Sequence, residues 1–296
     1  PERRDAVAAG VRDAAGDAVA EPDVQEIDEA SLAAVHDPEY LGLLAEAEGL
    51  GGGWLDADTY LVPGSMRAAR LAAGATLQAA VAVATGEAEV GFAVVRPPGH
   101  HASRSRGTGF CLLNNVAAAV AGLRSRGLGQ RIAVVDWDVH HGDGTQAIFD
   151  ADPLLVYAST HQSPLYPGTG ERGESGVRPA VGTMHNRPLP PGAGDEAFLA
   201  AWRDELLPAV EAFAPEAILV SAGYDAHAAD PLANLRVTDG GFGEAARLLG
   251  ALSARLGLPG VALTLEGGYD LDALRGSAAA TVRGVLDGRR HASIGP

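Results

Sequence analysis

The stretch VVDWDVHHGDG, residues 134–144, decides the fold because an apolar run ends there in a dense group of ionisable side chains. Its β-branched start is typical of a buried strand, and such a strand cannot enclose carboxylates and imidazoles that have no partner. The acidic and histidine side chains must therefore lie at the end of the strand. A salt bridge or a cap would explain one such residue, but five within eight positions indicate a functional site.

Length and composition indicate one soluble globular domain. The 296 residues are 47% hydrophobic, which is enough for a sizeable core. No apolar run approaches the roughly 18 to 20 residues that a membrane-spanning helix needs. The net charge of −16 disfavours direct binding to nucleic acid or to a membrane and favours cationic partners. With Cys111 as its single cysteine the chain cannot form an internal disulfide, and we expect a cytoplasmic location.

Apolar runs alternate with helical patterns along the chain. The runs predict strands over residues 90–95, 132–135, 154–158, 217–220 and 261–265. The segments between and after them predict helices over residues 115–126, 195–213, 241–256 and 270–286. This alternation predicts an α/β fold, in which a parallel β-sheet is flanked by helices on both faces, and we expect a single domain over residues 1–296.

Polar residues follow each predicted strand at once: RPPGHH, DWDVHHGDG, STHQ, SAGYDAHAADP and EGGYD. In an open parallel sheet, the loops that leave the carboxyl ends of the strands lie along one edge, where ligands bind. The sequence therefore predicts an active site in these loops. The Gly- and Pro-rich residues 166–194 predict a long ordered loop beside it.

A metal site is predicted where the strand over residues 132–135 ends. Side chains two apart in an extended segment point the same way, so Asp136, Asp138 and His140 can share one side. A carboxylate and an imidazole form half of a site for a divalent metal, and a third protein ligand would leave one position for water. Asp225 and Asp230, which follow a neighbouring strand, are the candidates for that ligand.

The adjacent His100 and His101 predict proton transfer beside the metal. One neutral imidazole can remove a proton from water while the other polarises the substrate, and each needs a carboxylate to fix its tautomer. Asp136 and Asp143 are available for this purpose. Tyr269 follows two glycines and presents a phenol that can stabilise an oxyanion.

The motifs RPPGHH, GFCLLNN, VVDWDVHHGDGTQ, SAGYDAHAADP and LEGGYD occur in an order and at a spacing that resembles the histone deacetylase family of the arginase/deacetylase superfamily. The resemblance extends from about His36 to about Tyr269, and LEGGY is similar to the class II and bacterial or archaeal branch. The start, PERRDAVAAG, resembles the segment that follows the first strand of the family. We therefore expect that strand to be missing from residues 1–296.

The resemblance implies one catalytic Zn²⁺ per chain, with Fe²⁺ as an alternative, and a set of roles around it. The metal ligands would be Asp138, His140 and Asp230. Tyr269 would polarise the substrate carbonyl; His101, oriented by Asp143, would be the main base and acid; and His100, paired with Asp136, would act electrostatically. The resemblance also implies a structural K⁺ bound by carbonyl groups of Asp136, Asp138 and His140 together with Ser159.

The resemblance further implies a narrow tunnel for an acylated amine. Gly109 and Phe110 would form one wall, Tyr166 the other, Val237 a gatekeeper, and Asp58 a grip on the substrate backbone. Phenylalanine is common in the family where Tyr166 stands, so the added hydroxyl leaves the acyl-chain preference open.

The predicted function is therefore zinc-dependent hydrolysis of acyl-lysine, in a protein or a peptide, to a free amine and acetate. The main alternative is deacetylation of an acylated small amine such as an acetylpolyamine. Two less favoured functions are those of a two-manganese ureohydrolase, which shares the fold, and of a non-catalytic acyl-lysine binding module. The sequence leaves the oligomeric state open, a homo-oligomer included.

Overall fold

Six parallel strands form the central sheet of the computed structural model, which describes residues 2–293. The strands are β1 (Gly53–Trp54), β2 (Tyr60–Leu61), β3 (Val90–Ala93), β4 (Ile132–Asp136), β5 (Leu155–Gln162), β6 (Met184–Leu189), β7 (Ala217–Ala222) and β8 (Val261–Leu265). The central sheet has the order β3-β8-β7-β4-β5-β6, while β1 and β2 form a separate antiparallel pair.

Helices connect the strands and cover the sheet. They are α1 (Glu2–Ala15), α2 (Glu29–Ala33), α3 (Pro38–Gly49), α4 (Ser65–Ala84), α5 (Asn115–Ser125), α6 (Asp143–Phe149), α7 (Asp195–Ala201), α8 (Leu207–Phe213), α9 (Asp239–Arg255) and α10 (Leu271–Ser293). A short π-helical segment, Trp202–Leu206, joins α7 to α8. Within residues 2–293, no helix combines the length and the apolar character needed to cross a membrane.

Alternate residues of β4 enter two different hydrophobic cores. Ala133 and Val135 pack into the core beneath α1 and α7 to α10, whereas Ile132 and Val134 pack into the core beneath α2 to α6. This is the two-residue alternation expected of a strand that is covered on both faces. The predicted α/β fold with helices on both sides of a parallel sheet is thus confirmed.

The prediction of one long loop over residues 166–194 is wrong over β6. Strand β6 has the sequence MHNRPL, which lacks an apolar run, and it lies at the edge of the sheet beside β5. An edge strand tolerates Pro188 because only one of its sides pairs with a neighbour. The predicted single domain over residues 1–296 stays a prediction, and residues 1 and 294–296 lie outside the described residues.

The strand order brings the predicted loops together. Asp136, the last residue of β4, lies in register between Ser159 of β5 and Ser221 of β7. Strand β8 pairs with β7 on one side and with β3 on the other. The segments that follow β3, β4, β5, β7 and β8 therefore leave the sheet side by side at one edge.

Candidate active site

Three potential metal ligands meet where β4 and β7 end. Oδ1 of Asp138 lies 3.1 Å from Nδ1 of His140, and this nitrogen lies 3.4 Å from Oδ2 of Asp225. Both carboxylates are buried and the imidazole is partly exposed. All three ligand atoms lie within 4.8 Å of one another, which suits one divalent cation. We call Asp138, His140 and Asp225 the ligand cluster.

The ligand cluster holds more buried negative charge than its hydrogen bonds satisfy. Oδ2 of Asp225 is buried and has no hydrogen-bond partner, although Nδ1 of His140 lies 3.4 Å away. Burial and the charge of Asp138 raise the pKa of Asp225. Burial alone would lower the pKa of His140, but the two carboxylates raise it to about 10. A cation would satisfy both carboxylates in place of a proton, so these residues fit a divalent metal.

Two glycines make room for the carboxylates of the ligand cluster. A Cβ atom on Gly223 would lie 1.9 Å from Oδ2 of Asp138, and one on Gly267 would lie 1.8 Å from Oδ2 of Asp225. The backbone N–H of Gly267 also donates to Oδ2 of Asp138 over 2.8 Å. Because any side chain at either position would collide with a ligand oxygen, the glycines of SAGYD and EGGYD are part of the site.

Asp230, the third metal ligand implied by the resemblance, lies outside the ligand cluster, and Asp225 takes its place. Asp225 follows β7 almost directly, whereas two successive turns separate it from Asp230. Asp230 instead accepts hydrogen bonds from the backbone N–H groups of Leu232, over 3.0 Å, and of Tyr269, over 2.7 Å. Its carboxylate therefore positions the loop that carries Tyr269.

The structure brings each histidine of the adjacent pair together with its predicted carboxylate. Nδ1 of His100 lies 3.1 Å from Oδ2 of Asp136, and Nδ1 of His101 lies 2.6 Å from Oδ1 of Asp143. The two imidazole rings are 4.1 Å apart. Burial and the neighbouring charge of His100 lower the pKa of His101 to about 4, although Asp143 acts in the opposite direction.

Two buried residues that the sequence motifs did not single out support the histidine pair. The Tyr157 hydroxyl donates to Oδ2 of Asp136 over 3.0 Å. Oε2 of Glu266 accepts from the backbone N–H groups of Gly99, over 2.6 Å, and of His100, over 3.2 Å. Burial raises the pKa of Glu266 to about 7. Both residues lie in or next to apolar strands, and the available signal was a polar side chain inside a run that should be buried.

Tyr269 lies beside the ligand cluster and beneath an arginine from the start of the chain. Burial and the charges of Asp225 and Asp138 raise the pKa of its phenol well above the usual range. The Arg3 guanidinium stacks 4.8 Å from the centre of the Tyr269 ring and donates to the backbone carbonyls of Gly268 and Glu266. The sequence alone gives Arg3 no role because nothing local links it to a motif more than 260 residues away.

Two of the predicted tunnel residues, Gly109 and Tyr166, lie against His101. A Cβ atom on Gly109 would lie 2.4 Å from Cδ2 of this histidine, so the backbone there passes directly against the ring. The Tyr166 ring is oriented edge-on to the His101 ring, with 5.1 Å between their centres. Phe110 and Tyr166 are 45% and 40% exposed, as expected of side chains at an opening. We call the surface around them the mouth.

Val237 does not belong to the mouth, and its prediction as a gatekeeper is wrong. Its side chain is fully buried in the hydrophobic core, and its backbone pairs with Ala226 and Ala228. Val237 lies seven residues after Asp230; the same spacing after Asp225 leads to Leu232, which is 48% exposed. Asp58 is exposed near the mouth: it accepts from the Thr59 hydroxyl, which itself accepts from the backbone N–H of Phe110.

The predicted potassium site remains a prediction. Ser159 lies in register with Asp136 on the neighbouring strand, and its hydroxyl pairs with Nδ1 of His161 over 3.0 Å. Asp138 and His140 follow in the same loop.

Comparison with known proteins identifies the family of the chain. The histone deacetylase domain matches residues 1–285. A probable deacetylase of Archaeoglobus fulgidus is 44% identical over 238 residues, which are 80% of this chain and 66% of that protein. The chain therefore spans just under two thirds of the length of this relative.

Two solved structures share the fold. The HD domain of HDA15 has a TM-score of 0.89 and 36% identity, with 97% of this chain and 83% of that chain covered. An acetylpolyamine aminohydrolase from Burkholderia pseudomallei has a TM-score of 0.87 and 33% identity, with 96% and 90% covered. The chain belongs to the histone deacetylase family.

Proposed function

We propose that the protein is a deacylase that depends on one Zn²⁺ and hydrolyses acetyl-lysine, or another acylated amine, to a free amine and acetate. The observation that carries the proposal is the ligand cluster, with its unsatisfied Asp225 oxygen, next to two imidazoles that are each oriented by a carboxylate. Fe²⁺ would fit the same ligands, since nitrogen and oxygen donors suit both metals.

Asp138, His140 and Asp225 would hold the metal. When bound, it would polarise the amide carbonyl and acidify a water molecule. A metal held by three protein ligands would have a further position for these groups, as in catalytic zinc sites. Asp138 is kept in place by the backbone of Gly267, and Asp225 by the backbone N–H of Val139 over 2.8 Å.

His101 would accept the proton of the attacking water and later return it to the leaving amine. Its low pKa keeps the imidazole neutral near pH 7, and Asp143 at Nδ1 directs the opposite nitrogen, Nε2, towards the site. His100 is buried between Asp136 and Asp138, and these carboxylates raise its pKa well above the usual range. A protonated His100 would stabilise negative charge on the reacting carbonyl.

Tyr269 would donate its phenolic hydrogen to the developing oxyanion. The raised pKa keeps the phenol protonated at every working pH. Asp230 fixes the backbone of Tyr269, and the Arg3 guanidinium packs on the ring. A donor that is already oriented needs no reorganisation when charge develops, which is the basis of oxyanion stabilisation.

We place Leu232 at the mouth, and its apolar side chain favours acyl-lysine over acetylpolyamine as the substrate. A cationic polyamine chain would gain from an acidic gatekeeper, but Leu232 is apolar and half exposed. The backbone N–H of Leu232 donates to Asp230, and so does that of Tyr269. Asp230 therefore links the loop of Leu232 to the loop of Tyr269. The likeness to the Burkholderia acetylpolyamine aminohydrolase keeps the polyamine alternative open for the test.

A ureohydrolase and a binding module fit the described residues less well. Residues 2–293 contain one group of three metal-binding side chains, whereas a two-manganese ureohydrolase needs a second ion bridged by further carboxylates. A binding module would have no use for two imidazoles that are both oriented by carboxylates.

Turnover and metal content measured on one purified sample test the proposal. The substrates are acetyl-lysine peptides, longer acyl-lysine peptides and acetylated polyamines. We expect one metal per chain and turnover of the acetyl-lysine peptides. Two metals per chain would favour a ureohydrolase, and one metal without any turnover would favour a binding module.

A further inference from the structure

The Tyr166 hydroxyl is part of a hydrogen-bonded relay across the mouth. It lies 2.7 Å from Oγ1 of Thr108, and the Thr108 hydroxyl donates to Oδ2 of Asp56. A threonine hydroxyl has one hydrogen, and the carboxylate can only accept. Tyr166 must therefore donate to Thr108, which gives the relay one direction, from Tyr166 through Thr108 to Asp56.

Asp56 is a firm end point for the relay. Its Oδ1 accepts from the backbone N–H groups of Asp58, over 3.1 Å, and of Thr59, over 2.9 Å. Burial would raise its pKa, but these bonds and the one from Thr108 lower it to about 2. Asp56 therefore stays an acceptor at any physiological pH, and it belongs to the loop between β1 and β2.

Phe110, which forms the opposite wall, is hydrogen-bonded to the same loop between β1 and β2. The backbone N–H of Phe110 donates to the Thr59 hydroxyl over 3.0 Å. Phe110 and Thr108 lie in one tight turn, closed by the bond from the Cys111 N–H to the Thr108 carbonyl over 2.9 Å. Both aromatic walls are thus fixed relative to residues 56–59, one through a side chain and the other through its backbone.

The segment that carries Tyr166 is also held on its far side. The Gly170 carbonyl pairs with Nε2 of His161 over 2.9 Å, and the Thr169 hydroxyl pairs with Nδ1 of His141 over 2.8 Å. With its backbone anchored there and its hydroxyl anchored at Thr108, the Tyr166 ring cannot swing away from His101. A phenylalanine would lack the second anchor.

We propose that the relay from Tyr166 through Thr108 to Asp56 fixes the width of the tunnel, so that Thr108 and the Tyr166 hydroxyl select substrates whose amine carries a slender, unbranched stem. This inference rests on the proposed deacylase function and adds two specificity-determining groups to it. Thr108 acts by positioning Tyr166. The energetic reason is preorganisation: a wall that is already fixed excludes a bulky stem and needs no ordering when a slender one enters.

Two peptides that differ only in the stem test the inference. One carries acetyl-lysine, and the other carries 4-acetamidophenylalanine, in which an aromatic ring replaces the methylene chain. The measured quantity is the ratio of their kcat/KM values. We expect Tyr166→Phe and Thr108→Val each to lower the preference for acetyl-lysine about fivefold, the size of effect that one neutral hydrogen bond produces. The change should lie mainly in KM.

The double variant and two controls separate the relay from a general disturbance. The double variant Tyr166→Phe/Thr108→Val should lose no more of the preference for acetyl-lysine than either single variant, because both substitutions remove the hydrogen bond between Tyr166 and Thr108. Thr108→Ser keeps the hydroxyl and should restore the preference. Tyr60→Phe removes an exposed phenol on β2 and should change nothing. Unchanged preference in both single variants, or additive losses in the double variant, would overturn the inference.

Failure of the proposed function would not obscure this result. If the wild-type protein turns neither peptide over, the deacylase proposal fails. The preference is then taken from the dissociation constants of the two peptides, measured by calorimetry. The relay predicts the same fivefold change in that ratio, and equal ratios in wild type and variants would contradict it.

Discussion

The floor of the site and its mouth are stabilised in different ways. The floor consists of residues that are buried or nearly so at strand ends: His100, His101, Asp136, Asp138, His140 and Asp225. The mouth consists of residues on separate loops. Phe110 and Tyr166 are exposed, Asp56 is partly buried and Thr108 is buried beneath them; the proposed function adds the exposed Leu232. Floor groups are positioned by the sheet, whereas mouth groups are positioned by one another. Changes in the floor should therefore abolish chemistry, and changes at the mouth should alter selectivity.

The largest effect that would test this contrast is expected from His101→Ala. The variant loses the base that accepts the proton of water, so kcat should fall by roughly 10² to 10⁴-fold. His101 is not in the ligand cluster, and metal content measured by elemental analysis should stay at the wild-type value. An active variant would show that another group takes the proton.

Tyr269→Phe should have a slightly smaller effect. It removes one oxyanion donor while leaving the ring beneath Arg3, which should cost about 2.7 to 4 kcal/mol of transition-state stabilisation. The loss should appear in kcat, with little change in KM or in bound metal. If steady-state kinetics gave the variant the kcat of wild type, Tyr269 would have no role in the proposed mechanism.

Acid should lower the stability of the fold through His36, which is hydrogen-bonded to the segment that carries part of the mouth. Nε2 of this buried histidine accepts from the backbone N–H of Asn114, at the end of the segment that carries Thr108 and Phe110. Burial lowers its pKa from 6.5 to about 4. The unfolded chain therefore binds a proton first, so stability is complete above pH 6.5 and is lost as the pH falls towards 4, by up to about 3 kcal/mol.

Urea unfolding of wild type and His36→Gln between pH 4 and pH 7.5 measures this effect. Glutamine can accept the same hydrogen bond but does not titrate in this range, so the free energy of unfolding should depend less steeply on pH in the variant. Parallel curves for the two proteins would show that His36 does not contribute to the acid sensitivity.

The smallest effect is expected from Leu232→Glu at the mouth. An acidic side chain there would attract a cationic polyamine, so the ratio of acetylpolyamine to acetyl-lysine turnover should rise about tenfold, as one favourable charge contact allows. Leu232→Met serves as the matched control because it keeps an apolar side chain of similar size. A fall in kcat for both substrates would mean that the mouth contributes to chemistry and that the contrast with the floor is wrong.

The sequence predicts much of the floor because its residues lie in the segments that follow buried strands, and the carboxyl ends of these strands meet at one edge of the sheet. Two-residue alternation after β4 places Asp138 and His140 together, and the strand order brings His100 and His101 beside them. The third member of the ligand cluster lies in an irregular turn, where spacing does not distinguish Asp225 from Asp230. Val237 was predicted by its distance from Asp230, whereas the same distance from Asp225 leads to the exposed Leu232.

The hydrogen bonds that link the residues of the mouth could not be predicted, although the resemblance implied Phe110 and Tyr166 as its walls. Asp56 and Thr108 are 52 residues apart, and Thr108 and Tyr166 are 58 apart. Each is an ordinary loop residue in its local sequence, and only the folded loops bring the three together. Glu266 and Tyr157 show the same limit inside the sheet, since their partners come from other strands and loops.

The proposed mechanism depends on which aspartate is the third metal ligand. The direct test measures metal content and activity in Asp225→Asn, in Asp230→Asn and in wild type, side by side. We expect one metal per chain in wild type and in Asp230→Asn. Asp225→Asn should lose both metal and activity, because that carboxylate is a ligand whereas Asp230 positions only the loop of Tyr269. A full complement of metal in Asp225→Asn, with loss in Asp230→Asn, would contradict the ligand cluster and the mechanism built on it.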